Sequence, residues 1–177
     1  LKVKSGIPDK IRSQIMRCID LLDEEYTSLI YTIVIYLDRE KLEYERINKP
    51  IFDDDRYQHI LNNDEIIGQN ISDKRLIHLY LFNLDNMGDK NKRKLEIVAN
   101  LFHEIRHAWQ CKNGLFPDEE QINDIKTNKE TYLNQDSERD AYLFQKEIIN
   151  KHKCSIAEIM EISGIIQDCT FKPGILD

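Results

Sequence analysis

His103-Glu104-Ile105-Arg106-His107 forms an H-E-x-x-H motif inside a stretch with helical periodicity, and it constrains what the surrounding chain can fold into. Four residues is just over one helical turn, so both imidazoles emerge on one face, one above the other. At that spacing two neutral ring nitrogens can reach one tetrahedral zinc ion at about 2.0–2.1 Å each. Glu104 then lies beside the metal rather than on it, where a carboxylate can take a proton from an attacking water. With 5 His and 15 Glu in 177 residues, a shuffled chain would contain the motif roughly once in a hundred. Its weight therefore depends on whether the rest of a zinc site can be found.

A chain of 177 residues is about one domain, large enough for a core of its own, and we read 1–177 as a single domain. The net charge of −7 and a pI near 5.3 argue against a nucleic-acid or anionic-membrane surface. The longest apolar run, Leu29 to Leu37, is strand-sized, well short of the roughly 20 residues of a membrane span. The chain opens on Leu rather than Met, and Leu1-Lys2-Val3-Lys4 has no apolar h-region behind it, so no signal peptide is expected in this stretch. Cys18, Cys111, Cys154 and Cys169 show no C-x-x-C pairing. They read as free thiols in a reducing compartment, which makes the cytoplasm the expected location.

Ile11, Ile15, Cys18, Ile19 and Leu22 recur at helical spacing, predicting a first helix over about 8–24 with Pro8 in its first turn. Ser28 to Leu37 is rich in β-branched and aromatic residues and reads as a buried strand. Asp38 to Asp55 reads as a connection with partial helix, and Ile66 to Ile71 as at best a short strand. Arg75 to Asn83 alternates, with Ile77, Leu79 and Leu81 on one face and Leu76, His78, Tyr80 and Phe82 on the other. The second, more polar face is expected to be exposed or to face the site. From about Lys92, Leu95, Val98, Phe102, Ile105 and Trp109 form an apolar stripe flanked by His103 and His107, and Gly114 ends that helix. Residues 113–134 read as a loop or lid. Ser137-x-x-Asp140 and Ser155-x-x-Glu158 are capping-box signals for two further helices, the second closing near Asp168. The order helix, strands, motif helix, loop, helix, helix is α+β.

Catalytic zinc takes three protein ligands and leaves a fourth position open. The extension H-E-x-x-H-x-x-G-x-x-H fails here, because Gln110 stands where the glycine belongs and Asn113 where the third histidine belongs. A carboxylate from a later helix is the remaining common solution, and Glu138 is the best placed. It shares a helical face with Ala141, whose small side chain lets that helix approach the motif helix closely. The competing reading is a first-turn acid favoured by the helix dipole. Cys111 shares the face of His107, but three ligands along one straight helix would spread over about 12 Å. His152 reads as a solvated helix end and Asp136 as a cap or loop acid. His78 reads as a surface histidine, with an oxyanion-stabilising role as the alternative. Tyr80, Tyr132 and Tyr142 read as packing residues, one of which can supply a hydrogen bond to a tetrahedral intermediate. Trp109 reads as core. Arg106 can hold a carboxylate such as Asp140 by a bidentate pair, and Asp140 is either a cap or an orienting partner of a ligand histidine.

With His103-Glu104-x-x-His107 followed by a helical Glu138-x-x-Ala141, the sequence resembles the compact gluzincins, most of all the small bacterial and phage-associated metallopeptidases of the ImmA/IrrE type. The similarity covers roughly residues 75–150. It departs from the thermolysin-like branch, where an Asp follows the ligand glutamate by four residues; Tyr142 holds that position here. The resemblance implies a small zincin-like α+β domain with a short, mostly antiparallel sheet, and an edge strand beside the motif helix to which a peptide adds. Carried over, Arg75 to Asn83 would be that strand. It implies Zn2+ held by His103, His107 and Glu138, Glu104 as general base, and a protein or peptide substrate, without nucleic acid or membrane partners. One rival is a zinc-binding protein-interaction module or regulator that has lost turnover. Another is a DNA-associated regulator, since Ile156 to Ile166 resembles a helix-turn-helix half; the acidic charge and the lack of a following basic helix count against it.

Overall fold

The computed structural model describes residues 1–119 and 129–164. After a two-residue strand, β1 (Lys2–Val3), Pro8 leads into α1 (Asp9–Ile19), which buries Ile15, Cys18 and Ile19. The helix expected over 8–24 stops at Ile19, where Asp20 and Asp23 follow. Carboxylates oppose the negative end of a helix dipole and favour the start of a new one, and Asp23 precedes the short α2 (Glu24–Thr27). β2 (Thr32–Tyr36) is the core of the expected strand.

The partial helix expected between Asp38 and Asp55 is α3 (Arg39–Asn48), and a further helix, α4 (Asp54–Asn62), follows where no element was expected. Each starts on an aspartate whose side chain accepts a backbone N–H three residues on, Asp38 from Lys41 and Asp53 from Arg56. β3 (Gly68–Ile71) turns through a 3-10 segment at Ser72–Lys74 into β4 (Leu76–Tyr80). Asp89 then caps the long α5 (Lys90–Lys112) by accepting from Asn91 and Lys92. That helix closes as expected: Gly114 has φ +63°, Leu115 N–H donates to the Gln110 carbonyl at 3.0 Å and Gly114 N–H to that of Cys111 at 3.2 Å. These are the two bonds of a Schellman stop. The lid expected over 113–134 falls partly outside the described residues (120–128), and α6 (Lys129–Leu133) occupies its end.

The last described element is α7 (Asp136–Met160), one helix with a kink at His152 (φ −114°, ψ 17°) where two were expected. Neither capping box forms. Ser137 N–H donates to Glu119 instead, and Asp140 is taken by stronger partners on α5. Asp168, Cys169 and the last residues of the Ile156 to Ile166 segment lie outside the described residues.

The class is α+β, and the sheet runs β1-β2-β4-β3. β1 pairs with β2 and β2 with β4 in parallel; only β3 and β4 are antiparallel. The sheet is thus mixed, not mostly antiparallel as the resemblance implied. The reason lies in the connections. Helices separate β1 from β2 and β2 from β4, and such crossovers return the chain in the same direction, whereas a short turn reverses it. The expected edge strand is corrected too: β4 lies inside the sheet, and the edge on this side is β3.

Both faces of β2 and β4 are buried, which explains their near-continuous apolar character. Ile33, Ile35, Ile77 and Leu79 join the main core with residues of α1, α5 and α7. Val34, Tyr36 and Tyr80 join a second core with Leu42 of α3 and Tyr57 and Ile60 of α4. The face expected to be exposed or to line the site is therefore covered by α3 and α4, and His78 is 1% exposed. Its Nδ1 lies 3.2 Å from the Tyr80 hydroxyl, between the Tyr36 and Phe52 rings. The Tyr36 and Tyr57 hydroxyls both donate to Glu45, at 2.7 and 3.0 Å. No helix among the described residues is long and apolar enough to cross a membrane.

Burial, aided by Lys4 and Lys74, pulls the His78 imidazole down to about 3, against about 6.5 in an unfolded chain. Between those values the unfolded chain binds a proton that the folded chain refuses, so His78 lowers stability progressively as pH falls from 6.5 and has no such effect above it. Replacing His78 by Leu should remove close to one proton from the acid-side slope of unfolding free energy, about 1.4 kcal/mol per pH unit. Urea titrations between pH 4 and 7 measure this, and an unchanged slope would contradict it.

Candidate metal centre

α5 carries His103 and His107 one turn apart, and the first turn of α7 brings Glu138 against them. Ala141, one turn beyond Glu138 on α7, is fully buried, and its small side chain adds no bulk at that level of the helix. His103 Nε2 lies 3.2 Å from Glu138 Oε2, His107 Nε2 lies 3.1 Å from Oε1, and the two Nε2 atoms are 3.0 Å apart. Among the described residues this is the His/Cys/Asp/Glu group arranged to hold a metal ion.

The donor set fits zinc. Bonds of 2.0–2.1 Å in a tetrahedron place ligand atoms about 3.3–3.4 Å apart, close to the three separations found here. Two neutral imidazole nitrogens at 3.0 Å also repel through their lone pairs unless a proton or a cation lies between them. Burial raises the Glu138 carboxyl, but hydrogen bonds from His103 and His107 outweigh it and hold the group well below the usual carboxylate range. Burial lowers His107, but Glu138 and Glu104 outweigh that and push it above the usual imidazole range.

Glu104 is 6% exposed and lines the same cleft, a cavity of about 1700 Å³. Burial raises its carboxyl, against the lowering effect of the two histidines. The edge strand packs directly on it. A Cβ at Gly68 would lie 2.7 Å from Glu104 Cγ and Oε1, and Asn70 Nδ2 donates to the Glu104 carbonyl at 3.2 Å. Only a glycine leaves room for the carboxylate at that point of β3.

Arg106 and Asp140 form the bidentate pair, at 2.7 and 2.9 Å. The guanidinium also donates to the Tyr26 hydroxyl and lies 4.1 Å from the Trp109 ring. Burial raises the Asp140 carboxyl, but hydrogen bonds from Arg106 and Gln110 hold it below the usual range. Tyr132 and Tyr142 line the cleft, and the Tyr142 ring lies 4.5 Å from that of His103. Cys111 is exposed at the cleft wall and outside the metal group. Tyr80 and His78 sit in or against the second core and do not line the cleft, which removes His78 as an oxyanion donor. His152 marks the α7 kink and Asp136 is exposed in the first turn of α7.

No family model, curated protein or solved structure matches the chain. The site therefore has to be read from its own geometry. Sequence reasoning missed Gly68, Asn70 and Gln110. Each works through a residue at least 27 positions away in sequence, Gln110 also through His107 on its own helix, and only the H-E-x-x-H register itself could have drawn attention to Gln110.

Glu138→Ala should weaken zinc binding by roughly a hundredfold or more, beyond the usual cost of losing a group that merely orients a ligand. Competition with a chromophoric chelator measures it. Full zinc retention in that variant would overturn the ligand assignment.

Proposed function

We propose that this protein is a zinc-dependent metallopeptidase of the compact gluzincin kind, most similar to the ImmA/IrrE type. The observation that carries the reading is the convergence of His103, His107 and Glu138 at the base of a large cleft, with Glu104 held beside them against Gly68. A His2Glu set with an open fourth position is the ligand pattern of catalytic rather than structural zinc. Bound there, zinc would polarise the scissile carbonyl and bring the pKa of its water toward about 7.

The chain's own groups do the rest. Glu104 takes the proton of the attacking water on its carboxylate and passes it to the leaving amine. Burial suits it to the first half of that exchange, since a carboxylate whose pKa is raised is a stronger base toward the water proton than a solvated one. The outer edge of β3, unpaired by any strand among the described residues, borders the cleft, so an extended peptide can add to the sheet through its backbone. The substrate is accordingly a protein or peptide segment in extended form. The net charge of −7 disfavours nucleic acid. Cys18, Cys111 and Cys154 are free thiols, which supports a location in the reducing cell interior.

Glu104→Gln should keep zinc at the wild-type level and lower peptide cleavage by about 10²–10⁴-fold. Mass-spectrometric digestion of a peptide library, run beside metal analysis, measures both. Equal cleavage by the variant would sink the mechanism. Stoichiometric zinc with no cleavage by the wild-type protein would favour the binding-module reading.

A further inference from the structure

Gln110 is 3% exposed and sits one turn beyond His107 on α5. Its amide is fully engaged. Nε2 donates to the Ser137 carbonyl at 2.9 Å and to Asp140 Oδ2 at 2.6 Å, while Oε1 lies 2.8 Å from His107 Nδ1. Amide orientations are ordinarily assigned rather than observed, but here only one is chemically acceptable. Turning the amide over would place its oxygen against a carbonyl and a carboxylate, and its NH2 against the imidazole. Asp140 cannot yield, because Arg106 grips both of its oxygens.

We propose that Gln110 is a positioning residue that commits His107 to the tautomer carrying its proton on Nδ1, leaving the Nε2 lone pair aimed at the zinc site. Arg106 fixes Asp140, Asp140 and the Ser137 carbonyl fix the Gln110 amide, and the amide oxygen fixes the imidazole. The inference rests on the zinc-site reading above and adds the device that orients one ligand. The two histidines are held differently. Among the described residues His103 Nδ1 has no hydrogen-bond partner, and its ring is placed by packing against Tyr142. Hydrogen-bonded orientation of the ligand pair is therefore concentrated on His107, through an amide where a carboxylate or backbone carbonyl more often serves.

The test is zinc affinity of the full chain by chelator competition, with the visible spectrum of the cobalt-loaded protein and the metal-free melting curve read alongside. Gln110→Met keeps the length and removes both ends of the amide. It should bind zinc about 10–100-fold more weakly and shift the cobalt bands. Asp140→Asn should weaken zinc in the wild-type background and cost measurably less in the Gln110→Met background, because the part of its effect that runs through the amide is already lost there. Wild-type zinc affinity in Gln110→Met, or an equal Asp140→Asn effect in both backgrounds, overturns the proposal. Should Gln110→Met fail to fold, Gln110→Glu decides the matter. Its carboxylate still accepts from His107 but faces Asp140, so adding Asp140→Asn should restore affinity, and a further loss overturns the proposal. A wild-type chain that binds no zinc would refute the metal site itself, and this inference with it. A zinc-binding wild type with an indifferent Gln110 refutes the inference alone.

Discussion

The fork between Arg106 and Asp140 sets the register of α5 against α7, and the geometry of the cleft follows from that register. Two parallel hydrogen bonds between planar groups tolerate little sliding. The guanidinium is also held by the Trp109 ring and the Tyr26 hydroxyl, which ties α2 into the same junction. Arg106 lies between the two histidines in sequence and Asp140 lies two residues beyond Glu138. Fixing this pair therefore fixes how far Glu138 stands from His103 and His107. Exposed ion pairs contribute only about 0.2–1 kcal/mol; this one is bidentate and partly buried, with side-chain exposures of 16% and 30%, so its geometry is far better specified than that of a surface pair.

The sheet has the complementary task of bringing backbone to Glu104. Parallel pairing of β1, β2 and β4 through helical crossovers buries both faces of the central strands, and it leaves β3, which a short turn joins antiparallel to β4, on the outside. That edge then packs on α5 at Glu104. Gly68 has no side chain to hold the strand away, and Asn70 reaches the Glu104 carbonyl. The same placement leaves the outer hydrogen-bonding edge of β3 beside the cleft. One strand thus confines the proposed general base and borders the space where a peptide would lie.

Local signals were legible in the sequence and relational ones were not. The H-E-x-x-H spacing, the Gly114 stop and the β-branched run of β2 depend on neighbours within a turn or on strand alternation, and they form as read. Glu138 could be found because the chemistry of zinc demands a third donor and the later helix offers few. α4 was missed because its inward residues, Tyr57, Ile60 and Leu61, are spread thinly among charges. The more polar face of β4 was misread because a histidine and a tyrosine suggest solvent, yet they pair with each other beneath α3 and α4. The Ser137-x-x-Asp140 signal misled because Asp140 has a stronger claim from Arg106 than from its own helix end. Gln110 and Gly68 have meaning only through residues that the fold brings close, 30 positions away for Gln110 and Asp140.

Charge balance explains why these features belong together. Glu104 and Glu138 are 6% and 5% exposed, and two carboxylates so placed are costly to leave ionised without compensation. Arg106 does not supply it, since both of its paired bonds are spent on Asp140. Two imidazoles of the tautomer proposed for His107 bring no charge, only lone pairs turned inward. The floor of the cleft then carries the charge of Glu138, and that of Glu104 whenever it is ionised, which one divalent cation would match. In the metal-free protein the same deficit must be met by protons, which is why His107 is driven upward even though burial alone would lower it. A site built this way would, on the metal-site reading proposed above, exchange protons for metal, and the hydrogen bond between His107 and Gln110 would bear on which of the two the imidazole nitrogen faces.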